Sequence, residues 1–338
     1  MQPVEQNLIG IAKLAHQAPP LETKRTAEYR QLGSYSLLNR APPHTPFFEW
    51  TINPYRGCEI GCKYCYARYT HEFMELRDPM AFEQLIFAKQ WNPAAFAKEL
   101  RRVRRGDRIA IGTATDPYQP AERRYGLTRS LLEVFAARHG YRLGITTKSD
   151  LVLRDLDLLQ SVARTNQLTV HVTITAIDAG LARKIEPRAP RPDLRLGAVR
   201  KLAEAGIETG VFCCPVLPLI NDSDAGISAL AQAAKEAGAR FLAGNTLFLR
   251  ESAARVFLPF LDAEFPHLAG RYRARFAKGA FLHGAYPDLI ARRFERARER
   301  FGFVREPSTR ETAPWQAEDQ LELFPEVDGA PGVKMSPA

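Results

Sequence analysis

Asn53-Pro54-Tyr55-Arg56-Gly57-Cys58-Glu59-Ile60-Gly61-Cys62-Lys63-Tyr64-Cys65-Tyr66-Ala67-Arg68 holds three of the chain's five cysteines within eight residues. The gaps are three and then two residues, and Gly57 and Gly61 free the backbone to turn. Such a loop can aim Cys58, Cys62 and Cys65 at one point, as an iron–sulfur cubane requires, and it leaves a fourth iron without a nearby cysteine. Closed clusters and structural zinc sites fill all four positions, whereas a catalytic metal keeps one open. On spacing alone, zinc held by the same cysteines and His71 stays open as an alternative.

Around this loop, β-like apolar runs alternate with amphipathic helices. Strands are expected over Phe48–Ile52, Arg108–Gly112, Arg142–Thr146, Leu168–Thr175, Glu208–Cys214 and Arg240–Leu247. Helices are expected over Pro93–Arg104, Thr128–His139, Asp150–Thr165, Asp193–Ala205 and Ser223–Ala237. Six strands alternating with helices call for a parallel sheet with right-handed crossovers, either open or curved into a partial barrel. Beyond Leu249 only helices are expected, over Glu251–Asp262, His267–Lys278 and Tyr286–Phe301. The predicted organisation is an extended or poorly ordered arm over 1–46, a core over 47–250, a helical appendage over 251–302 and a mobile acidic tail over 303–338. Prolines in the arm, among them Pro19, Pro20, Pro42, Pro43 and Pro46, motivate its reading.

The chain has 338 residues and is 45% hydrophobic, enough for one large α/β domain or two small ones. Residues 1–20 offer only the short apolar run Leu8–Ala12, so no signal peptide is expected. No run approaches the roughly 20 apolar residues of a membrane span. A cytoplasmic location is therefore expected, and it suits an odd number of unpaired thiols. The net charge of +9 divides into −4 over residues 305–338 and +13 on the body. Residues 267–304 alone carry nine bases against three acids. This concentration suits a DNA- or RNA-binding surface or a solvated helical face.

In parallel α/β folds ligands gather where strands end. Here those positions hold the cysteines, then Thr113 through Glu122, then Thr147-Lys148-Ser149, then Thr173, Thr175 and Glu186-Pro187-Arg188, and then Asn221-Asp222. Cys-x3-Cys-x2-Cys after the first strand of a βα repeat, with Tyr64 and Tyr66 flanking its last cysteine, resembles the radical S-adenosylmethionine (SAM) superfamily. Tyr64-Cys65-Tyr66, Thr115-Asp116-Pro117-Tyr118 and Thr147-Lys148-Ser149 resemble its spore photoproduct lyase-like branch. The resemblance covers residues 48–250 and implies the partial (β/α)6 TIM-type barrel of these enzymes.

It further implies that Cys58, Cys62 and Cys65 bind a [4Fe–4S] cluster whose free iron is chelated by SAM. Electron transfer from a flavodoxin- or ferredoxin-type reductant then yields methionine and a 5′-deoxyadenosyl radical. In that frame Tyr64, Thr113, Thr115, Lys148, Thr173, Thr175, Glu186 and Arg188 are cofactor-binding candidates. Tyr66, Asp116 and Tyr118 are catalytic candidates, with Glu122, Asn221 and Asp222 facing substrate. Of Cys213 and Cys214, adjacent on a strand, only one can face the barrel interior. The branch's lyase has a cysteine hydrogen donor after the second strand, whereas this chain has no cysteine between Tyr66 and Phe212. The same thymine-dimer reversal is thus not implied.

In the tail, Gln320-Leu321-Glu322-Leu323-Phe324 resembles the peptide by which bacterial repair proteins dock on the sliding clamp. Leu321, Leu323 and Phe324 would be its apolar anchors and Gln320 a polar contact. The leading expectation is radical chemistry on a nucleic acid, related to repair. The alternatives are a small-molecule or protein substrate, and a non-enzymatic DNA-binding module stabilised by zinc or a cluster.

Overall fold

The computed structural model describes residues 8–24, 26–33, 36–42, 45 and 47–304. Its strands are β1 (Pro20–Thr23), β2 (Glu28–Leu32), β3 (Leu38–Arg40), β4 (Trp50–Ile52), β5 (Tyr55–Arg56), β6 (Leu85–Lys89), β7 (Arg108–Ile111), β8 (Arg142–Thr147), β9 (Gln167–Thr173), β10 (Glu208–Val216) and β11 (Phe241–Thr246). Its helices are α1 (Gly10–His16), α2 (Ala81–Gln84), α3 (Pro93–Glu99), α4 (Glu122–Tyr125), α5 (Leu127–Ala136), α6 (Leu156–Thr165), α7 (Ala179–Ile185), α8 (Pro192–Glu204), α9 (Asp224–Glu236), α10 (Glu251–Glu264), α11 (Pro266–Phe276) and α12 (Ala285–Phe301). Among the described residues no helix is long and apolar enough to cross a membrane.

Six strands, β4, β7, β8, β9, β10 and β11, run parallel and in chain order, with β3 antiparallel at the β4 edge. This is the expected partial (β/α)6 barrel. Alternate residues explain its layers, because successive side chains on a strand point to opposite faces. Ile109, Ile111, Leu143, Ile145, Leu168, Val170 and Val172 are buried in one cluster with Leu132 and Phe135 of α5, Leu159 and Val162 of α6, and Val199 and Leu202 of α8. On β9 and β10, His171 stacks on Phe212 with ring centres 4.2 Å apart, and Phe241 of β11 adds a third ring 5.3 Å from His171. Gly210 makes room for Phe241, since a Cβ there would lie 2.1 Å from its ring.

The expectation of an extended or poorly ordered arm over 1–46 needs correction, for α1, β1, β2 and β3 all lie within it. β1 and β2 join β6 and β5 in a second sheet of order β1-β2-β6-β5. Strands of three to five residues are too short to show a period, and Pro20 is tolerated as the first residue of an edge strand. Tyr29 and Leu32 are nonetheless fully buried. Two expected helices also divide. Residues Leu100–Arg102 and Asp150–Asp155 are 3-10 turns, at the end of α3 and ahead of α6 respectively. The helical segment after Leu249 appears as α10 to α12, with Phe294 of α12 packed against Gly244 of β11. The clamp-like peptide Gln320–Phe324 lies outside the described residues.

Gly57 has φ +82°, and a Cβ there would sit 2.7 Å from the Leu85 carbonyl and 2.9 Å from that of Phe82, both backbone atoms. Gly197, inside α8, has open space around it. Gly57→Ala is expected to destabilise the fold by more than about 1 kcal/mol, and Gly197→Ala to stabilise it by about 0.4–1 kcal/mol. Urea unfolding of the two variants checks both signs.

Candidate active site

The cysteine loop is tied to both sheets before any cofactor is considered. β5 hydrogen-bonds to β6, with Tyr55 opposite Ala88 and Arg56 opposite Phe87, and the Cys58 N–H donates to the Phe82 carbonyl at 2.9 Å. From the barrel side, Thr115 Oγ1 and Gln119 Nε2 donate to the Gly57 carbonyl at 2.6 and 3.1 Å, and the Glu59 N–H donates to Gln119 Oε1 at 3.0 Å. The Lys63 N–H reaches the Ile185 carbonyl at 2.9 Å. Gly61, at φ +67°, lies against the Arg188 guanidinium and the Glu83 carboxylate, where a Cβ would come within 2.2 Å of each. Glu83 pairs there with Arg188 at 2.8 Å and with the buried Arg68 at 3.4 Å. Arg68 in turn donates to the Cys62 carbonyl at 3.0 Å.

Cys58, Cys62 and Cys65 line a cavity of about 340 Å³ at the carboxyl ends of the strands. All three are free thiols. Burial, reinforced by neighbouring acids and by the other cysteines, pushes Cys58 well above its ordinary range and Cys62 to about 12; burial also pushes Cys65 up. A set of thiols this reluctant to ionise together suits a metal group, whose positive charge stabilises thiolates. Among the described residues no three His, Cys, Asp or Glu side chains converge on a single ion. In a cubane each cysteine ligates its own iron, so the thiols need not meet at the one point that their spacing suggested. His71 is not a fourth ligand. Its Nε2 lies 3.0 Å from the Leu85 carbonyl, its ring packs on Phe82 and Phe87, and burial lowers its pKa to about 4. The residues fit the cluster and exclude the zinc arrangement with His71.

Behind the cavity wall is a buried charge group. Glu186, just after α7, pairs with Arg195 of α8 at 2.6 Å and lies 4.0 Å from Lys148 Nζ. The Thr175 hydroxyl donates to it at 2.6 Å, and the Tyr64 hydroxyl donates to it as well. Burial opposes the Glu186 charge, but Arg195 and Lys148 outweigh it and hold the carboxyl below its usual range. Burial likewise disfavours the Lys148 charge, yet Cys62 and Glu186 hold it above the ordinary lysine range. One carboxylate against two cations leaves a single positive charge. It is presented by Lys148, which lines the cavity and lies 5.8 Å from the centre of the Tyr64 ring.

The other expected residues fall into two groups. Tyr64, Tyr66, Thr113, Thr115, Asp116, Lys148 and Thr173 line the cavity with the cysteines. Of these, Tyr66 donates its hydroxyl to the Thr113 carbonyl, and Thr115 is engaged by Gly57. The Asp116 carboxylate accepts from the Tyr118 N–H at 2.8 Å, and from Thr147 Oγ1 and the Lys148 N–H at 2.7 Å each. Those bonds tie the segment after β7 to the end of β8, while the residue itself lines the cavity.

The expectation of a catalytic Tyr118 is corrected, for it is fully buried in the helix-side core. Thr175, Glu186 and Arg188 stand behind the wall, holding one another or the loop. Glu122 accepts from Tyr55 Oη at 2.6 Å and Arg154 at 2.7 Å; Asn221 donates to the Thr175 carbonyl at 2.7 Å; Asp222 accepts from Tyr286 Oη at 2.8 Å. These three support the fold instead of facing the cavity. Cys214 lines the cavity, while Cys213 is buried against the Thr175 carbonyl.

Sequence reasoning missed Arg195, hidden among the arginines of α8, and the apolar wall of Phe47, Phe48 and Phe248. Aromatics flanking the first and last barrel strands were the available signal. Because Arg195 and Glu186 are both almost wholly buried, Glu186→Gln leaves an unmatched buried cation. A loss of about 3–5 kcal/mol is expected in chemical denaturation, and a loss under about 1 kcal/mol would show that the pair does not hold the wall.

Comparison with known proteins agrees with this geometry. Residues 52–230 match the radical SAM superfamily. An uncharacterized protein of Mycobacterium tuberculosis is 35% identical over 260 residues, 76% of each chain, and one of Methanocaldococcus jannaschii is 28% identical over 239 residues, 67% of this chain and 80% of that one. Among solved structures, a spore photoproduct lyase mutant with bound AdoMet and dinucleoside spore photoproduct superposes with a TM-score of 0.57 at 18% identity, covering 80% of this chain and 78% of that one. The likeness is one of fold. Matched over more than half its length, the chain belongs to the radical SAM superfamily and is an enzyme of the class that uses a [4Fe–4S] cluster and S-adenosylmethionine.

Proposed function

We propose that this radical SAM enzyme acts on a nucleic acid, in a repair-like lyase or modification reaction. The observation that carries the reading is the cavity's mixed lining, in which three thiols and the Lys148 charge are joined by the rings of Phe47, Phe48 and Phe248. Flat aromatic walls suit a base, which stacks on them whatever its identity. The fold shared with a lyase solved with a dinucleoside photoproduct supports the same substrate class.

Cys58, Cys62 and Cys65 would hold the cluster, Lys148 the SAM carboxylate, and Thr113 and Thr173 its polar groups. The cofactors, when bound, supply reductive cleavage of SAM to methionine and a 5′-deoxyadenosyl radical. The chain's own task is placement and exclusion. Asp116 fixes the Lys148 backbone, Tyr66 is held by the Thr113 carbonyl and packs 5.0 Å from Phe248, and the phenylalanines keep water from the reacting face.

The basic surface contributes less than its charge suggests. Arg273 pairs with Asp262, Arg293 and Arg296 with Asp224, and Arg298 with Glu295.

Anaerobically reconstituted protein is expected to be brown and to release 5′-deoxyadenosine from SAM and reductant, faster with DNA or RNA present. Lys148→Ala should retain the cluster and bind SAM about tenfold more weakly, the loss of one charge-assisted hydrogen bond. Turnover that ignores nucleic acid would favour a small-molecule or protein substrate. For the tail, we propose docking on a bacterial sliding clamp through Gln320, Leu321, Leu323 and Phe324. Phe324→Ala is expected to abolish clamp pull-down, and unchanged retention would remove that partner.

A further inference from the structure

A second cavity, of about 400 Å³, adjoins the first and shares Phe48, Thr113 and Ala114 with it. Among the described residues its lining includes Arg40, Arg56 and Lys89 and contains no aspartate or glutamate. Natural proteins seldom bury cations without a partner, because desolvation is costly. Lys89, the last residue of β6, is only 7% exposed, and its ammonium makes no ion pair or hydrogen bond among the described residues. Glu99, the acid whose field reaches it, is engaged by Ser36 Oγ at 2.8 Å and by the Leu37 and Leu38 N–H groups at 3.2 and 3.1 Å.

Arg56 has one long hydrogen bond, to the Thr70 carbonyl at 3.3 Å, and its buried Nε has none. Burial, and then repulsion from Arg56, lowers the Lys89 pKa to about 7. A pair of cations that destabilise each other in a shared cavity is poised for an anion, whose charge would relieve both. The rim adds a second kind of group. Tyr69 and Phe73 meet edge to face at 5.6 Å, and Phe73 is 42% exposed.

We propose that this cavity seats a phosphate of a nucleic-acid strand between Arg56 and Lys89, with an adjoining nucleoside reaching the cysteine cavity past Phe48 and Thr113. Cations grip the backbone and do not read sequence, while the aromatic rim stacks a neighbouring base. A lone inorganic phosphate would use the cations and leave the rim idle, which favours a strand. The inference rests on the nucleic-acid reading above and deepens it by assigning the residues that hold the strand.

The test uses the full chain with its cluster reconstituted and a short fluorescein-labelled single-stranded oligodeoxynucleotide, followed by anisotropy across a salt series. Lys89→Met, which replaces a buried charge by an apolar chain of similar length, is expected to fold and to bind about tenfold more weakly. The slope of log affinity against log salt should fall by about 0.7, because one phosphate is no longer neutralised. Arg56→Gln should act in the same direction, with iron content reporting that the loop is intact. Replacing a single linkage by neutral methylphosphonate should weaken the wild type at one position of the strand and leave Lys89→Met indifferent there. If the wild type binds the oligonucleotide and Lys89→Met matches it in affinity and slope, the phosphate seat is overturned and the substrate reading survives. If the wild type binds no oligonucleotide while inorganic phosphate binds in a Lys89-dependent way, the strand and the proposed substrate class fall together.

Discussion

The Glu186 carboxylate is the constraint on which the site depends. It stands out of water and engages groups from four places in the chain: Tyr64 in the cysteine loop, Lys148 after β8, Thr175 after β9, and Arg195 in α8. Such a group is unfavourable unless every member is in place, since an isolated buried charge costs several kcal/mol. That condition makes it specific. It fixes the tyrosine beside Cys65 and the cavity lysine relative to each other, without either having to be rigid in its own loop. Arg195 also donates to the Thr173 carbonyl at 3.0 Å, so the end of β9 is held by the same group.

A second consequence concerns which polar residues stay available. Strand ends leave backbone groups without sheet partners, and nearby side chains satisfy them. Thr115 and Gln119 serve Gly57, Asp116 serves Tyr118 and Lys148, and Asn221 serves Leu217 and Thr175. The residues that crowd the mouth of the barrel are therefore mostly engaged with one another. The cavity lining includes four thiols (Cys58, Cys62, Cys65 and Cys214), the Lys148 ammonium, threonines of which Thr113, Thr115 and Thr147 are already hydrogen-bonded, and a set of rings.

Much of this was legible from the residues. The period of the strands was strong enough to place all six parallel strands to within a few residues, because alternate residues on strands such as β7 (Ile109, Ile111) and β8 (Leu143, Ile145) are apolar side chains buried under the helices. The three cysteines announced themselves by spacing. The direction of a side chain was another matter. Asp116 and Tyr118 are two residues apart after the same strand, yet the carboxylate turns back to the backbone and the ring turns into the helix-side core. A turn of that kind is set by tertiary partners such as Thr147 and Lys148, more than thirty residues away. The second sheet was missed for a related reason: β1, β2 and β5 are two to five residues long and take their order from β6, which lies beyond the cysteine loop.

Net charge does not say where on a surface it acts, and the reason is physical. The arginines of α11 and α12 drew notice by number, but Arg273 and Arg298 each face one acid and Arg293 and Arg296 share Asp224, so four of these cations meet three carboxylates and their combined field is weakened beyond the Debye length. Arg56 and Lys89 add only two charges, and neither stands out in a chain with 47 basic residues. Their weight comes from burial, since the field of an unpaired cation walled by protein is screened far less than that of a paired one in water. A strand approaching this face would meet a potential concentrated at the mouth of the second cavity. The two cavities share Phe48, Thr113 and Ala114, so on the proposed reading an anion held in the second would direct its neighbour toward the first.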